Sequence, residues 1–194
     1  MDCMKIGKLI FKLRKEKALT QLELARAIGV SDKAVSKWER GLGCPDVTLL
    51  GDISRFFGIN IPQLLEGELN PNKSDAGNMK KLRFYCCHCC GNILTATAES
   101  DISCCGRRLE ALVPSPVTPG HIVQIEAVED DFFISLNHSM TKEHFIRFVA
   151  YAAYDRALLI RLYPEQDCSV RFPRMRGGKL VWFCSEHGLF ETKA

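Results

Sequence analysis

Through the first third of the chain, apolar residues recur every three or four positions. In KIGKLIFKLRKEK (5–17), Ile6, Leu9, Ile10 and Leu13 share one helical face, and basic residues occupy the others. Thr20 followed by Glu23 has the form of a capping box. QLELARAIG is therefore predicted to be a short helix running to Gly29, a glycine stop. Ser31 is placed to cap a third helix, DKAVSKWERG, which Gly41 ends. Residues 47–58 and 61–66 add further apolar turns, enough to close a five-helix core over residues 1–67.

The period then lapses. GELNPNKSDAGN (67–78) is rich in Asn, Gly, Ser and Pro and reads as a flexible joint, and the linker between domains is set at 68–79. PSPVTP (114–119) is a stiff connector. Beyond it HIVQIEAV, DFFISL, ALLIRLYP, SVRFP and KLVWFCS alternate or are rich in β-branched and aromatic residues. Short strands at this spacing predict an antiparallel sandwich over 114–194. HFIRFVAYAAY fits a strand or a helix, because Phe145, Phe148, Val149 and Ala152 satisfy both periods.

Composition narrows the class. The chain has 194 residues, 46% hydrophobic and 25% charged, as a globular multidomain protein does. No apolar run nears the roughly 18 residues that span a bilayer, and MDCMKIGKLIFKLRKEK lacks the h-region of a secretory signal, so a cytoplasmic protein without membrane contact is expected. The net charge of +3 lies entirely in the first part: residues 1–80 hold 13 basic against 10 acidic side chains. A nucleic-acid partner would favour that placement.

Two short helices joined by a Gly-containing turn form a helix-turn-helix arrangement, whose second helix enters the major groove. TQLELARAIGVSDKAVSKWERGLGCPDVTLL closely resembles the phage-repressor-like (Cro/C1, or XRE) helix-turn-helix family, over about a third of the chain. The resemblance implies binding to double-stranded DNA, with Gln21 and Arg40 on phosphates, Asp32, Lys33, Ser36 and Lys37 towards base edges, and Ser31 among the DNA-binding residues. Ala34, Val35 and Trp38 are better placed for packing. One such head offers little area, so a homodimer on a two-fold site is expected.

The chain has ten cysteines, most in CxxC and CC clusters, a usage that favours metal ligation over disulfides in a reducing compartment. FYCCHCCGN and SCCGRR (within 80–113) offer two registers for the first knuckle, Cys86 with Cys89 or Cys87 with Cys90; Gly91 favours the second. YxCxxCGN…CCG resembles desulforedoxin, a small Fe(Cys)₄ module. That resemblance carries the ligands to Cys87, Cys90, Cys104 and Cys105, with iron or zinc as the metal. Cys3, Cys44 and Cys168 are expected to be ordinary packed or surface thiols.

Four of the five histidines lie beyond residue 114: His121, His138, His144 and His187, the last in CSEHG behind Cys184. GHIV, HSMTKEHF and CSEHGL together resemble the iron domain of superoxide reductase, also found at the C-terminus of desulfoferrodoxin. The resemblance implies an immunoglobulin-like sandwich, which makes HFIRFV a strand, and non-haem iron held by His121, His138, His144, His187 and Cys184. It also implies reduction of superoxide to hydrogen peroxide, with an electron donor such as rubredoxin. Five donors with an open sixth place suit a redox metal better than structural zinc, and an axial thiolate pushes electron density onto iron. Ser139 stands where the family usually has proline, and Met140 is displaced by one residue. Pro119-Gly120 stands where the family typically carries Glu-Lys. A cation there would steady a developing anion.

Three readings follow: a superoxide reductase with a DNA-binding head; a transcriptional regulator whose iron senses superoxide or redox state without efficient turnover; and two zinc scaffolds. The intact five-donor set argues against the third, since scaffolding needs no open position. The full ligand set favours catalysis, and the missing lysine favours sensing.

Overall fold

The computed structural model describes residues 2–72 and 77–193. Residues 73–76, in the middle of the predicted joint, lie outside the described residues. The chain divides into two compact units, Met1–Pro71 and Asn72–Ala194.

The first unit holds helices α1 (Cys3–Glu16), α2 (Gln21–Ala27), α3 (Asp32–Glu39), α4 (Leu50–Phe57) and α5 (Ile61–Glu66). Their starts follow from side-chain caps. Asp2 accepts from the Met4 and Lys5 amides, Thr20 and Glu23 form the reciprocal capping box, and Ser31 accepts from the Ala34 amide. The 3.6-residue stripe becomes the core: Ile6, Leu9, Ile10 and Leu13 pack with Leu24, Val35, Trp38, Ile53 and Leu64. Gly7 lets α1 approach α3 backbone to backbone. A Cβ there would lie 1.9 Å from the Trp38 carbonyl oxygen.

Two connections between α1 and the α3 region have no counterpart in the hydrophobic pattern. The buried Arg14 guanidinium donates to both Glu39 carboxylate oxygens, at 2.6 and 2.8 Å, and to the Leu19 carbonyl. Cys3 and Cys44 form a disulfide, with Cα atoms 4.8 Å apart. They are therefore not the free thiols expected. A sequence separation of 41 hid the pairing, since only the packing of α1 on the segment after α3 brings the two together. Cys168 is a free, buried thiol, as expected, and burial pushes its pKa up to about 12.

The second unit begins with two hairpins, β1 (Arg83–Cys86) with β2 (Ile93–Ala96) and β3 (Ile102–Cys104) with β4 (Arg107–Leu109). There follow β5 (Pro114–Ser115), β6 (Val123–Val128), β7 (Asp131–Leu136), β8 (Ile146–Ala152), β9 (Ala157–Arg161), β10 (Ser169–Pro173), β11 (Lys179–Cys184) and β12 (Gly188–Lys193). They form a three-stranded sheet, β10-β7-β6, and a five-stranded sheet, β5-β12-β11-β8-β9. Ile134 and Phe172 from the first sheet share a core with Val149, Tyr151, Trp182 and Phe190 from the second.

HFIRFVAYAAY contains β8, a strand, and its burial explains the ambiguity. Phe148 and Ala150 pack with Phe84, Val181 and Phe183 on one face of the sheet, while Ile146, Val149 and Tyr151 belong to the core on the other. A strand covered on both faces loses its polar alternation and reads like a buried helix.

Candidate functional sites

In the first unit, α3 carries the residues expected to meet DNA. Ser31, Asp32, Lys33, Lys37 and Arg40 are exposed, and Ser36 is half-buried. Positions 33, 36, 37 and 40 recur at helical spacing along one side. Ser31 is also the cap of α3, and Arg40 Nε donates to the Ser36 carbonyl at 3.2 Å. Gln21 behaves differently: its amide donates to Glu39 Oε2 at 2.8 Å, joining the Arg14 pair. Burial works to raise the Glu39 pKa, but hydrogen bonds from Arg14 and Gln21, with the Arg14 charge, hold it below the ordinary carboxylate range.

In the second unit, Cys87 and Cys90 lie in the turn between β1 and β2, and Cys104 and Cys105 lie where β3 turns into β4. Their four sulfurs are within 4.8 Å of one another. The first turn closes through the Gly91 amide on the Cys87 carbonyl at 2.8 Å, with Gly91 at φ 68°, where a side chain would be strained. Sγ of Cys104 lies 3.5 Å from that of Cys90 and 4.0 Å from that of Cys105. Four thiolates at about 2.3 Å from one ion would stand about 3.8 Å apart, so this set fits a tetrahedral metal. Amide hydrogen bonds from Cys90, then Cys89, bring the Cys87 thiol down to about 7, while neighbouring sulfurs, Cys90 first, push Cys104 and Cys105 up. A cation resolves that conflict. Cys86, buried against Arg147, and exposed Cys89 stand outside the set.

The second donor cluster gathers at one end of the sandwich. His121 ends a single 3₁₀ turn, Pro119–His121, before β6. His138 and His144 lie on the loop from β7 to β8, and Cys184 and His187 flank the turn from β11 to β12. Donor atoms of His121, His144, Cys184 and His187 lie within 4.8 Å of one another. His187 Nδ1 is 3.1 Å from His144 Nε2 and 3.5 Å from Cys184 Sγ. His138 stands outside this mutually close four but touches two of them. Its Nε2 is 3.0 Å from His144 Nε2 and 3.5 Å from Cys184 Sγ.

The surroundings suit a metal. His121 is buried, its Nδ1 is held 2.7 Å from Thr118 Oγ1, and its Nε2 has no hydrogen-bond partner. A buried ring nitrogen without a partner is costly unless something else satisfies it, and a ligating imidazole is normally oriented through its other nitrogen. His144 Nδ1 has Ser139 Oγ at 3.3 Å in the same role. Burial first, and neighbouring imidazoles second, hold His121 below its usual pKa and His138 at about 4, so both offer neutral lone pairs at pH 7. His138 carries a constraint of its own: the Met140 amide donates to its Nδ1 at 3.2 Å, with Met140 at φ 45°. To ligate through Nε2 as a neutral ring, His138 must be released by that amide. His187 is exposed and opens the cluster to solvent. Gly120 precedes His121 in the 3₁₀ turn, and a Cβ there would meet nothing within 4 Å.

Thr118, the orienting role of Ser139 and the Arg14–Glu39–Gln21 network were not anticipated from the sequence, which marked Ser139 only as standing where the family has proline and Gln21 only as a phosphate contact. A threonine or serine two to five residues from a ligand histidine is a usable signal for the first two. Nothing local marks the third.

A helix-turn-helix family model matches residues 10–64. The first unit is a helix-turn-helix domain. Over 85 residues the chain is 39% identical to the HTH-type transcriptional activator BcrR of Enterococcus faecalis, covering 42% of each chain. Over 68 residues it is 37% identical to the antitoxin PezA of Streptococcus pneumoniae, covering 34% of this chain and 43% of that one. The chain thus spans less than half the length of these relatives. The superoxide reductase of Treponema pallidum superposes on 58% of this chain and 98% of its own, with a TM-score of 0.51 and 20% identity. The second unit therefore has the superoxide reductase fold. Among the described residues no helix is long and apolar enough to cross a membrane.

Proposed function

We propose that the protein is a DNA-binding superoxide reductase: a cytoplasmic transcriptional regulator whose second unit converts superoxide, one electron and two protons into hydrogen peroxide. The observation that carries this reading is the five-donor cluster, above all the buried, unpartnered Nε2 of His121. Iron held by His121, His138, His144, His187 and Cys184 would supply the electron and an open coordination position. Cys184, fully buried, would be its sulfur donor, and a thiolate there would enrich the iron in electron density. Thr118 and Ser139 orient the His121 and His144 rings through their Nδ1 atoms. Solvent at exposed His187 provides protons and an exit for peroxide. The Cys87, Cys90, Cys104 and Cys105 set would hold iron or zinc. An external donor such as rubredoxin would return the electron, and a homodimer would place two copies of α3 on a two-fold DNA site.

Gly120 favours a second reading. Glycine supplies no cation at this position, and the space where its Cβ would stand is open, which suits a sensor that reacts once and turns over slowly. One experiment separates the two. Anaerobic, iron-loaded protein is mixed with superoxide and a reductant while superoxide loss, peroxide yield and oxygen release are followed together. Sustained peroxide without matching oxygen, lost in Cys184→Ser, is the reductase result. A single oxidation that stalls leaves the sensor.

A further inference from the structure

We propose that Cys3 and Cys44 are a thiol–disulfide modification site through which a hydroperoxide sets the affinity of the helix-turn-helix domain for DNA. The disulfide joins the first residue of α1 to the segment that follows α3, enclosing the whole helix-turn-helix. The other eight cysteines are free. Both members of the pair are half-buried, within reach of a small solvent-borne oxidant. In a reducing compartment a disulfide is seldom a permanent staple, and a pair that forms there usually reads redox state.

The segment it anchors supports the DNA-facing side of α3. The Leu42 amide donates to the Lys37 carbonyl at 3.0 Å, and a Cβ on Gly43 would lie 3.0 Å from Lys37 Cε. The chain next to Cys44 therefore runs along the stem of Lys37. Gly41 lies against Met4, the neighbour of Cys3. With the disulfide closed, residues 41–44 are tied to α1 and the Lys37 side chain is shelved on them. With it open, that segment gains freedom that DNA binding must remove again. The disulfide form is the tighter binder.

The chemistry balances. One thiolate attacks hydrogen peroxide, breaking the O–O bond to give a sulfenic acid and hydroxide. The second thiol displaces water from that sulfenic acid and forms the S–S bond. In all, two thiols and one peroxide yield one disulfide and two waters, and a cellular dithiol reverses the step. Hydrogen peroxide is also the product proposed for the second unit; the inference rests on the proposed function for DNA binding and a cytoplasmic location, and on superoxide turnover only for its source of oxidant.

The test uses the full, metal-loaded chain and a duplex of about 30 base pairs, selected from a random library by the oxidised protein. The protein is reduced with a dithiol, then treated with one equivalent of added peroxide. The Cys3 and Cys44 peptides are followed by mass spectrometry, and duplex affinity and helical ellipticity are measured in both states. The expected result is a reversible Cys3–Cys44 crosslink, an affinity about fivefold or more higher when oxidised, and unchanged helix content. Cys3→Ser and Cys44→Ser should each hold the affinity at the reduced value. Equal affinities, thiols that stay uncrosslinked, or binding lost together with the helical signal would overturn the proposal. Because peroxide is added directly, failure of superoxide turnover leaves the outcome untouched.

Discussion

Removing the Glu39 carboxylate should bring the helix-turn-helix domain close to unfolding. Arg14 is 4% exposed and the Glu39 side chain 4%, so neither charge has water to fall back on. In Glu39→Ala the guanidinium keeps the Leu19 carbonyl as its remaining hydrogen-bond acceptor and the Phe11 ring 5.3 Å away, neither of which carries a counter-charge, and Gln21 loses its acceptor. Breaking one side of a buried pair typically costs about 3–5 kcal/mol. A unit of this size has roughly 4–10 kcal/mol in all. Urea unfolding at pH 7, followed by ellipticity at 222 nm, reads the loss as a lower midpoint. Replacing both partners, Arg14→Met with Glu39→Leu, should recover most of it, because no charge is then stranded. The pH dependence follows the same pair. Glu39 titrates lower in the folded than in the unfolded chain, so its contribution is present above its ordinary pKa of 4.5 and disappears as pH falls through the lowered value. Glu39→Ala should lack that part of the acid sensitivity. A cost below about 1 kcal/mol, or a double variant no better than the single one, would refute the stranded-charge reasoning.

Four further outcomes can be checked directly. Gly7→Ala, which ordinarily favours a helix by about 1 kcal/mol, should destabilise the domain in the same urea assay, since its methyl would meet the Trp38 carbonyl. Reducing Cys3–Cys44 should lower the domain's stability by about 4 kcal/mol from loop-closure entropy over a separation of 41 residues, read as a shift in urea midpoint. Gly120→Lys, entering open space beside His121, should speed the reaction with superoxide about tenfold or more in stopped flow, with a gain that shrinks as salt rises. Cys104→Ser should release the metal of the four-cysteine set and leave that of the histidine cluster, by elemental analysis of the purified protein.

How far each feature could be read from sequence depended on how local its cause is. The caps at Thr20 and Ser31 act within three residues, and both helices start where those residues place them. The cysteine register was legible through Gly91, whose positive φ is needed to close the turn on Cys87. β8 was not decidable from its own period, because the β1 hairpin covers the face that would otherwise have been polar. The disulfide and the Arg14 pair bridge 41 and 25 residues and depend on how α1 packs against the chain around α3. Gln21 is the instructive case: its position suggested a phosphate contact, and its side chain is occupied by Glu39.

The histidine cluster owes its composition to topology. His121 leads into β6 of the three-stranded sheet, and Cys184 and His187 belong to a hairpin of the five-stranded sheet. His138 and His144 lie on the loop that carries the chain from β7 in one sheet to β8 in the other. The five donors come from segments attached to both sheets. They converge because the sandwich closes, so a metal bound there ties the two sheets together. The reverse also holds. A closed sandwich presents the His121 and His138 imidazoles already desolvated and neutral, and so part of the ordering that metal binding would otherwise impose is made in folding. His138 is the member for which this is incomplete, because the Met140 amide competes for its other nitrogen. The Met140 turn would therefore decide whether a metal bound there has four protein donors or five.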